Sequence, residues 1–467
     1  MNLRDTAVRG GFYLVLRQAL GILISILGLI LLTRALGPGA YGIWVAALGV
    51  YNYFSALSGW GVNVYLIRRE GEPSAEDYHQ AFSVLLLLGL VGAVLALLAL
   101  PLIQHWIRLE AFGSVAVALF AGLPVNLVAS VPLARLERAL SYRKVALIEL
   151  SGLAVFYPIA LPLAYQGAGP WAPVAGWWTA QLLSLGLLYR VSDYRPRLHW
   201  EGARVRTMVR YGLGFSASEW IWNLGNLVNP LVVGRYAGVE AVGQVGLAIR
   251  LVEQLSSIVL LPVGRLSIPL FARVREDKAR LVKALAEGTT LQIVALGPIL
   301  AGSGLIAFWL IPLLLGPQWL PALEVYPFIA AAYLAGGATS LHSSILLVLR
   351  RLRQVAIFRL THLFFFTGSA LILVPYLGII GYGWADLVAI PSYTMLLIWV
   401  LKYVGRPISF QALVWFVSWI PPLFSWQLGQ WTWISLIAPL AWPAARKELL
   451  RAVAMALRIL RRTNAQS

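Results

Sequence analysis

From Gly10 to Ala445 the chain is a nearly unbroken series of apolar stretches, separated by arginine clusters or Gly/Pro breaks. A helix needs about 20 mostly apolar residues to cross the hydrocarbon core of a bilayer, and most of these stretches reach that length. Cutting at the breaks gives spans at 10–32, 42–66, 82–104, 112–133, 144–165, 170–190, 208–232, 240–264, 289–313, 321–347, 355–377, 379–402, 408–428 and 430–445. The last is short and has the length of a half-span. Composition agrees: 60% of residues are apolar and 12% charged, where soluble domains carry about 25% charge. The expected fold is an all-α polytopic membrane protein with about 14 transmembrane helices. Residues 10–32 are too long for the core of an export signal and no small-residue cleavage site follows, so they count as the first span.

Lysine and arginine set the orientation, because cytoplasmic loops carry an excess of both. With these spans, 32 of the 37 basic residues fall on one side. The other side holds Arg34, Arg108 and Arg235, and Arg17 and Arg250 lie inside spans. A missed or invented span before the last pair would destroy that asymmetry. Both termini are therefore expected in the cytoplasm. The net charge of +18 then reflects orientation and attraction to anionic headgroups, and no nucleic-acid partner is expected. There is no cysteine, and five histidines are scattered, so thiolate chemistry is excluded and a metal site has little support. No cofactor is expected. The non-cytoplasmic connections, such as 166–169 and 314–320, leave no room for a catalytic domain. No Walker-type Gly-Lys-Ser/Thr string occurs, so the chain encodes no ATPase.

An internal repeat organises the spans. Thr33-Arg34-Ala35-Leu36-Gly37-Pro38-Gly39-Ala40-Tyr41-Gly42 has a counterpart 201 positions on, Gly234-Arg235-Tyr236-Ala237-Gly238-Val239-Glu240-Ala241-Val242-Gly243. Arg, Gly, Ala and Gly coincide, and each copy joins two apolar spans. At an offset of 210, Arg143-Lys144-Val145-Ala146 matches Arg353-Gln354-Val355-Ala356. Two units of six spans with like topology are parallel repeats about an axis along the membrane normal. The expected organisation is a six-helix bundle at 1–190, a cytoplasmic linker at 191–207, a second six-helix bundle at 208–405, two additional helices at 406–445 and a basic cytoplasmic tail at 446–467. Such an arrangement describes a transporter that rocks about a central cavity.

Ionisable groups inside spans are costly and usually face a cavity or a partner. Arg17 and Gln18 lie in the first span. Glu219, Asn223 and Asn226 form one polar stripe in the seventh. Arg250 and Glu253 sit in the eighth, and Asp386 in the twelfth. At the repeat offset Gln18 maps onto Glu219 and Asn52 onto Glu253, which suggests a shared cavity lined by spans 1, 2, 7 and 8. Candidate cavity residues are Arg17, Gln18, Asn52, Asn223, Asn226 and Arg250; candidate ion-coupling residues are Glu219, Glu253 and Asp386. Each has a structural alternative. Arg250 and Glu253 can simply neutralise each other, Glu219 can bond within its own helix, Arg17 can snorkel, and Asp386 can face interfacial water.

The string Leu32-Thr33-Arg34-Ala35-Leu36-Gly37-Pro38-Gly39-Ala40-Tyr41-Gly42, with Gly61-Val62-Asn63 and Leu66-Ile67-Arg68-Arg69, resembles the opening of bacterial polysaccharide exporters and Wzx-type O-antigen flippases. Their superfamily also includes multidrug extruders and lipid II flippases. Arg17-Gln18-Ala19-Leu20-Gly21 is similar to the first-span segment of lipid II flippases in which an arginine faces the anionic headgroup. The resemblance implies alternating-access export of an undecaprenyl-pyrophosphate-linked oligosaccharide across the bacterial inner membrane, without ATP hydrolysis and not by an enzyme. It further implies functional association with a polysaccharide polymerase and glycosyltransferases. A cation-coupled multidrug antiporter and a membrane polysaccharide polymerase are the alternatives.

Overall fold

A computed structural model describes residues 3–406, 410–447, 449 and 450, with side chains from residue 21 onward except at 214, 215, 218, 265, 266 and 269. Among these residues there are helices and no strands. Among the described residues nine helices, alone or as closely joined pairs, are long and apolar enough to cross a membrane. The chain forms two compact units, Met1–Gly246 and Leu247–Ser467.

The first unit contains α1 (Leu3–Gly59), α2 (Val62–Arg68), α3 (Ala75–Ile107), α4 (Phe112–Phe120), α5 (Leu123–Arg138), α6 (Tyr142–Tyr165), α7 (Trp171–Val191), α8 (Gly202–Leu224) and α9 (Gly234–Tyr236). It ends within α10 (Val239–Arg273). The spans expected at 10–32 and 42–66 share α1, which turns at Gly37 (φ 70°, ψ 171°) ahead of Pro38. Only glycine takes that conformation without strain, so the expected connection at 33–41 is a kinked helix and not a loop. Helix α3 opens with a capping box, in which the Asp77 backbone N–H donates to the Ser74 hydroxyl and the Ser74 backbone N–H donates to the Asp77 carboxylate. Its inner face is built from small residues: Gly89 lies against Pro124 and Gly92 against Ser58. Small side chains let helices approach closely in lipid, where apolar burial gives little drive. Its opposite face leaves Leu98 and Leu102 exposed, at 71% and 75%, as a lipid-facing stripe does. Leu66, Leu85, Val131 and Met208 join α2, α3, α5 and α8 in one core.

The second unit holds the rest of α10 with α11 (Lys278–Leu314), α12 (Pro321–Val348), α13 (Leu352–Leu377), α14 (Ile379–Ala389), α15 (Tyr393–Tyr403), α16 (Phe410–Leu423), α17 (Ser425–Leu428) and α18 (Ile437–Ala441). Phe271, Leu285, Ile345, Phe358 and Val400 belong to one of its cores. Residues 430–445, expected as the fourteenth span, are a 3-10 turn over Gln430–Leu436 followed by the short α18. Those two segments rise about 20 Å together, less than a bilayer core of about 30 Å.

The repeat has a structural signature inside the first unit. Gly37 and Gly238 both have positive φ, 70° and 90°. A Cβ placed on Gly42 would stand 2.0 Å from the Val239 carbonyl oxygen, and one on Gly243 would stand 2.2 Å from the Pro38 carbonyl oxygen. Pro38 and Val239 are themselves counterparts. Gly39 meets Glu240 and Val45 meets Gly246 along the same line, so three successive pairs place a residue beside its own copy. Two like-directed helices in that register are related locally by a two-fold axis running along them.

Candidate functional site

The polar residues of the first unit lie where α8 crosses the second limb of α1. Two contacts fix the crossing. The indole N–H of Trp220 donates to the Ala56 carbonyl at 2.9 Å, and Gly49 approaches the Asn226 carbonyl, 3.6 Å from an ideal Cβ. Because the helices run antiparallel, these contacts bracket Asn52 and Asn223 and set them at one height. Asn52 is exposed, Glu219 and Asn223 are half-buried and Asn226 is exposed. Asn223 donates to the Glu219 carbonyl at 2.8 Å, and Asn226 donates to the Asn223 side-chain oxygen at 3.2 Å. The expected stripe is therefore a connected amide ladder. Arg17 and Gln18 lie on α1, with side chains outside the described residues.

Beyond Asn223 the helix is irregular. A 3-10 turn over Gly225–Leu227 leads into a π-helical turn over Asn229–Val233 that contains Pro230. A proline lacks the N–H that would continue the ladder, and π turns are frequent at functional positions. Buried Asn229 spans the break by donating to the Val242 carbonyl at 3.3 Å. At the end of α3, Trp106 closes over the next segment. Its N–H donates to the Leu231 carbonyl at 2.9 Å, and the Arg235 guanidinium stands 5.6 Å from its ring.

The second unit collects the other candidates. Arg250 and Glu253 form an ion pair at 3.2 Å, with side chains 45% and 39% exposed. At that exposure the pair itself contributes little. The second oxygen of Glu253 accepts from the Tyr333 hydroxyl at 3.3 Å. Asp386 on α14 is within electrostatic reach of Tyr333, Tyr382 and Tyr393, and Glu253 within reach of Tyr333 and Tyr382. One geometric contact joins these groups, the hydrogen bond from Tyr333 on α12 to Glu253 on α10, while Asp386 shares α14 with Tyr382. Carboxylate and hydroxyl oxygens are the ligands a hard monovalent cation or a proton takes. Both acids are expected from the sequence as candidates, whereas none of the three tyrosines is. Their only sequence signal was the i, i+4 spacing of Tyr382 and Asp386.

These features define a class: an all-helical, multi-pass membrane protein with polar and ionisable clusters inside its helical units. The chain belongs to the polysaccharide biosynthesis protein family, whose profile matches residues 31–324. It is 29% identical over 302 residues to the succinoglycan biosynthesis transport protein ExoT of Rhizobium meliloti (strain 1021), a match spanning 64% of this chain and 60% of that protein. The matched part is thus less than two thirds of ExoT. It is 22% identical over 332 residues to the lipopolysaccharide biosynthesis protein WzxC of Escherichia coli (strain K12), spanning 70% and 67%. Its fold is similar to lipid II flippase MurJ in an inward closed conformation, with TM-score 0.74 at 13% identity over 97% of this chain and 99% of that one. It is also similar to an inward-facing MATE family multidrug resistance transporter of the MOP superfamily, with TM-score 0.62 at 16% identity over 82% and 94%.

Proposed function

We propose that the protein is a carrier that moves an undecaprenyl-pyrophosphate-linked oligosaccharide from the cytoplasmic to the outer leaflet of a bacterial inner membrane by alternating access. The observation that carries this reading is membership of the polysaccharide biosynthesis family across residues 31–324. Arg17 and Arg250 attract the pyrophosphate, while Gln18, Asn52, Asn223 and Asn226 hydrogen-bond sugar hydroxyls. Glu219, Glu253 and Asp386 carry the coupling cation, and the Tyr333 hydroxyl holds one oxygen of Glu253. Bundles 1–190 and 208–405 are the rocking halves, joined by 191–207 and followed by the additional helices at 406–445 and the basic tail at 446–467. Both termini are cytoplasmic, as the basic residues require. A polysaccharide polymerase and glycosyltransferases act before and after the carrier on the same lipid-linked chain.

The test is complementation of a strain whose own exporter is deleted. The intact chain restores surface polysaccharide, whereas R17Q and R250Q at equal expression leave lipid-linked precursor on the cytoplasmic side. Undiminished export by both variants overturns the pyrophosphate assignment. If the chain restores no polysaccharide but raises resistance to cationic drugs, the multidrug antiporter reading replaces this one.

A further inference from the structure

Between α7 and α8 the chain runs without regular structure from Asp193 to Glu201, yet it is firmly held. Tyr194 is 4% exposed. Its hydroxyl donates to the Tyr78 carbonyl at 3.0 Å, and its ring stacks on Tyr189 at 5.9 Å. Arg135 donates to the Asp193 carbonyl at 3.3 Å. The backbone N–H of His199 donates to the Ser83 hydroxyl at 2.9 Å, and that of Glu201 to the Gln80 side-chain oxygen at 2.7 Å. The strap is therefore tied to the first turns of α3 at both ends, beside the residue where the apolar span of that helix begins.

What the strap turns outward is unusual for a polar linker. Leu198 is 77% exposed and Trp200 57%, and Arg195, Pro196 and Arg197 are exposed beside them. Among the described residues neither Arg195 nor Arg197 makes an ion pair with protein. Leu198 and Trp200 are exposed on either side of half-buried His199, whose backbone is held by Ser83. A leucine and an indole at a span boundary match the border of acyl chain and headgroup, where tryptophan concentrates. Arginines next to them match phosphate, which the guanidinium binds through a planar fork of donors.

We propose that residues 195–200 are a membrane-surface anchor that seats Leu198 and Trp200 in the cytoplasmic leaflet and binds the phosphates of anionic phospholipids through Arg195 and Arg197. Charge complementarity with an anionic leaflet and continuity with the lipid-facing surface of α3 select this occupant. The assignment rests on the orientation proposed above, and its test does not depend on transport.

The chain has no cysteine, so L198C carries a single polarity-sensitive dye on the full-length protein. The labelled protein is placed in nanodiscs of phosphatidylcholine with increasing phosphatidylglycerol, with nitroxide lipids as quenchers and no lipid-linked sugar present. The expected result is blue-shifted emission quenched by the nitroxide lipids, increasing with phosphatidylglycerol. R195Q or R197Q each raises the phosphatidylglycerol fraction needed for half-maximal quenching roughly fivefold. Because the strap is pinned through backbone groups and Tyr194, these variants keep the fold. Emission characteristic of water with no quenching overturns the anchor. Quenching that ignores phosphatidylglycerol overturns the anionic-lipid assignment. Side-specific labelling of L198C in cells, whole or permeabilised, reports separately whether the strap faces the cytoplasm.

Discussion

Glu253 uses its two carboxylate oxygens differently, one toward Arg250 at 3.2 Å and the other toward the Tyr333 hydroxyl at 3.3 Å. A phenol that points a carboxylate at a bound cation improves affinity modestly, whereas the carboxylates supply the charge. Y333F is therefore expected to weaken coupling-ion affinity by about fivefold, the net value of one hydrogen bond, while E253Q and D386N abolish ion-dependent transport in proteoliposomes. Equal effects from all three would remove the distinction between ligand and support. The acids were legible in the sequence because a charge inside an apolar run stands out by cost alone. Tyr333 was not, since tyrosine is ordinary near membrane interfaces and only the folded structure brings its hydroxyl from α12 to Glu253.

At the scale of elements, the helices were legible wherever an apolar run met a charge cluster, and less so where a break is internal. The α1 kink turns on Gly37, and the interruption of the seventh span turns on the 3-10 and π turns around Pro230. The Gly37-Pro38 break shows in the sequence as the cut between the first two spans, though not as a kink within one helix, whereas the turns around Pro230 leave hydropathy unchanged and do not show in a span count. The 191–207 segment read as a polar linker because its composition is polar; the backbone bonds that make it a strap belong to no pattern of side chains. Replacing Tyr194 by phenylalanine is expected to cost about 1 kcal/mol by leaving the Tyr78 carbonyl without that donor. G42A or G243A should cost about 1–3 kcal/mol through overpacking, because the new methyl would meet a backbone oxygen at 2.0 or 2.2 Å. G39A, whose nearest neighbour is 3.9 Å away, should be nearly neutral. Thermal unfolding of the purified protein in detergent ranks the four variants.

For the molecule as a whole, the repeat at an offset of 201 predicts that α1 and α10 can be joined through equivalent residues. An ideal Cβ on Gly39 lies 3.9 Å from Cγ of Glu240, so the two positions are side-chain neighbours. The double variant G39C/E240C, in a chain otherwise free of cysteine, should cross-link under mild oxidation and lose transport, with recovery on reduction. Cross-linking without loss of transport would mean that this end need not open. A second check concerns topology. Q166C should react with an impermeant maleimide on intact cells, and R351C only after permeabilisation, as the division of basic residues requires.

Where Gly42 and Gly243 touch, each backbone occupies the volume in which the other would carry a side chain. Copies of a repeat are free to diverge wherever each faces different surroundings, but a residue that faces its own copy is constrained twice, by the space it needs and by the space it must leave. That is a physical reason for segments 33–42 and 234–243 to stay alike.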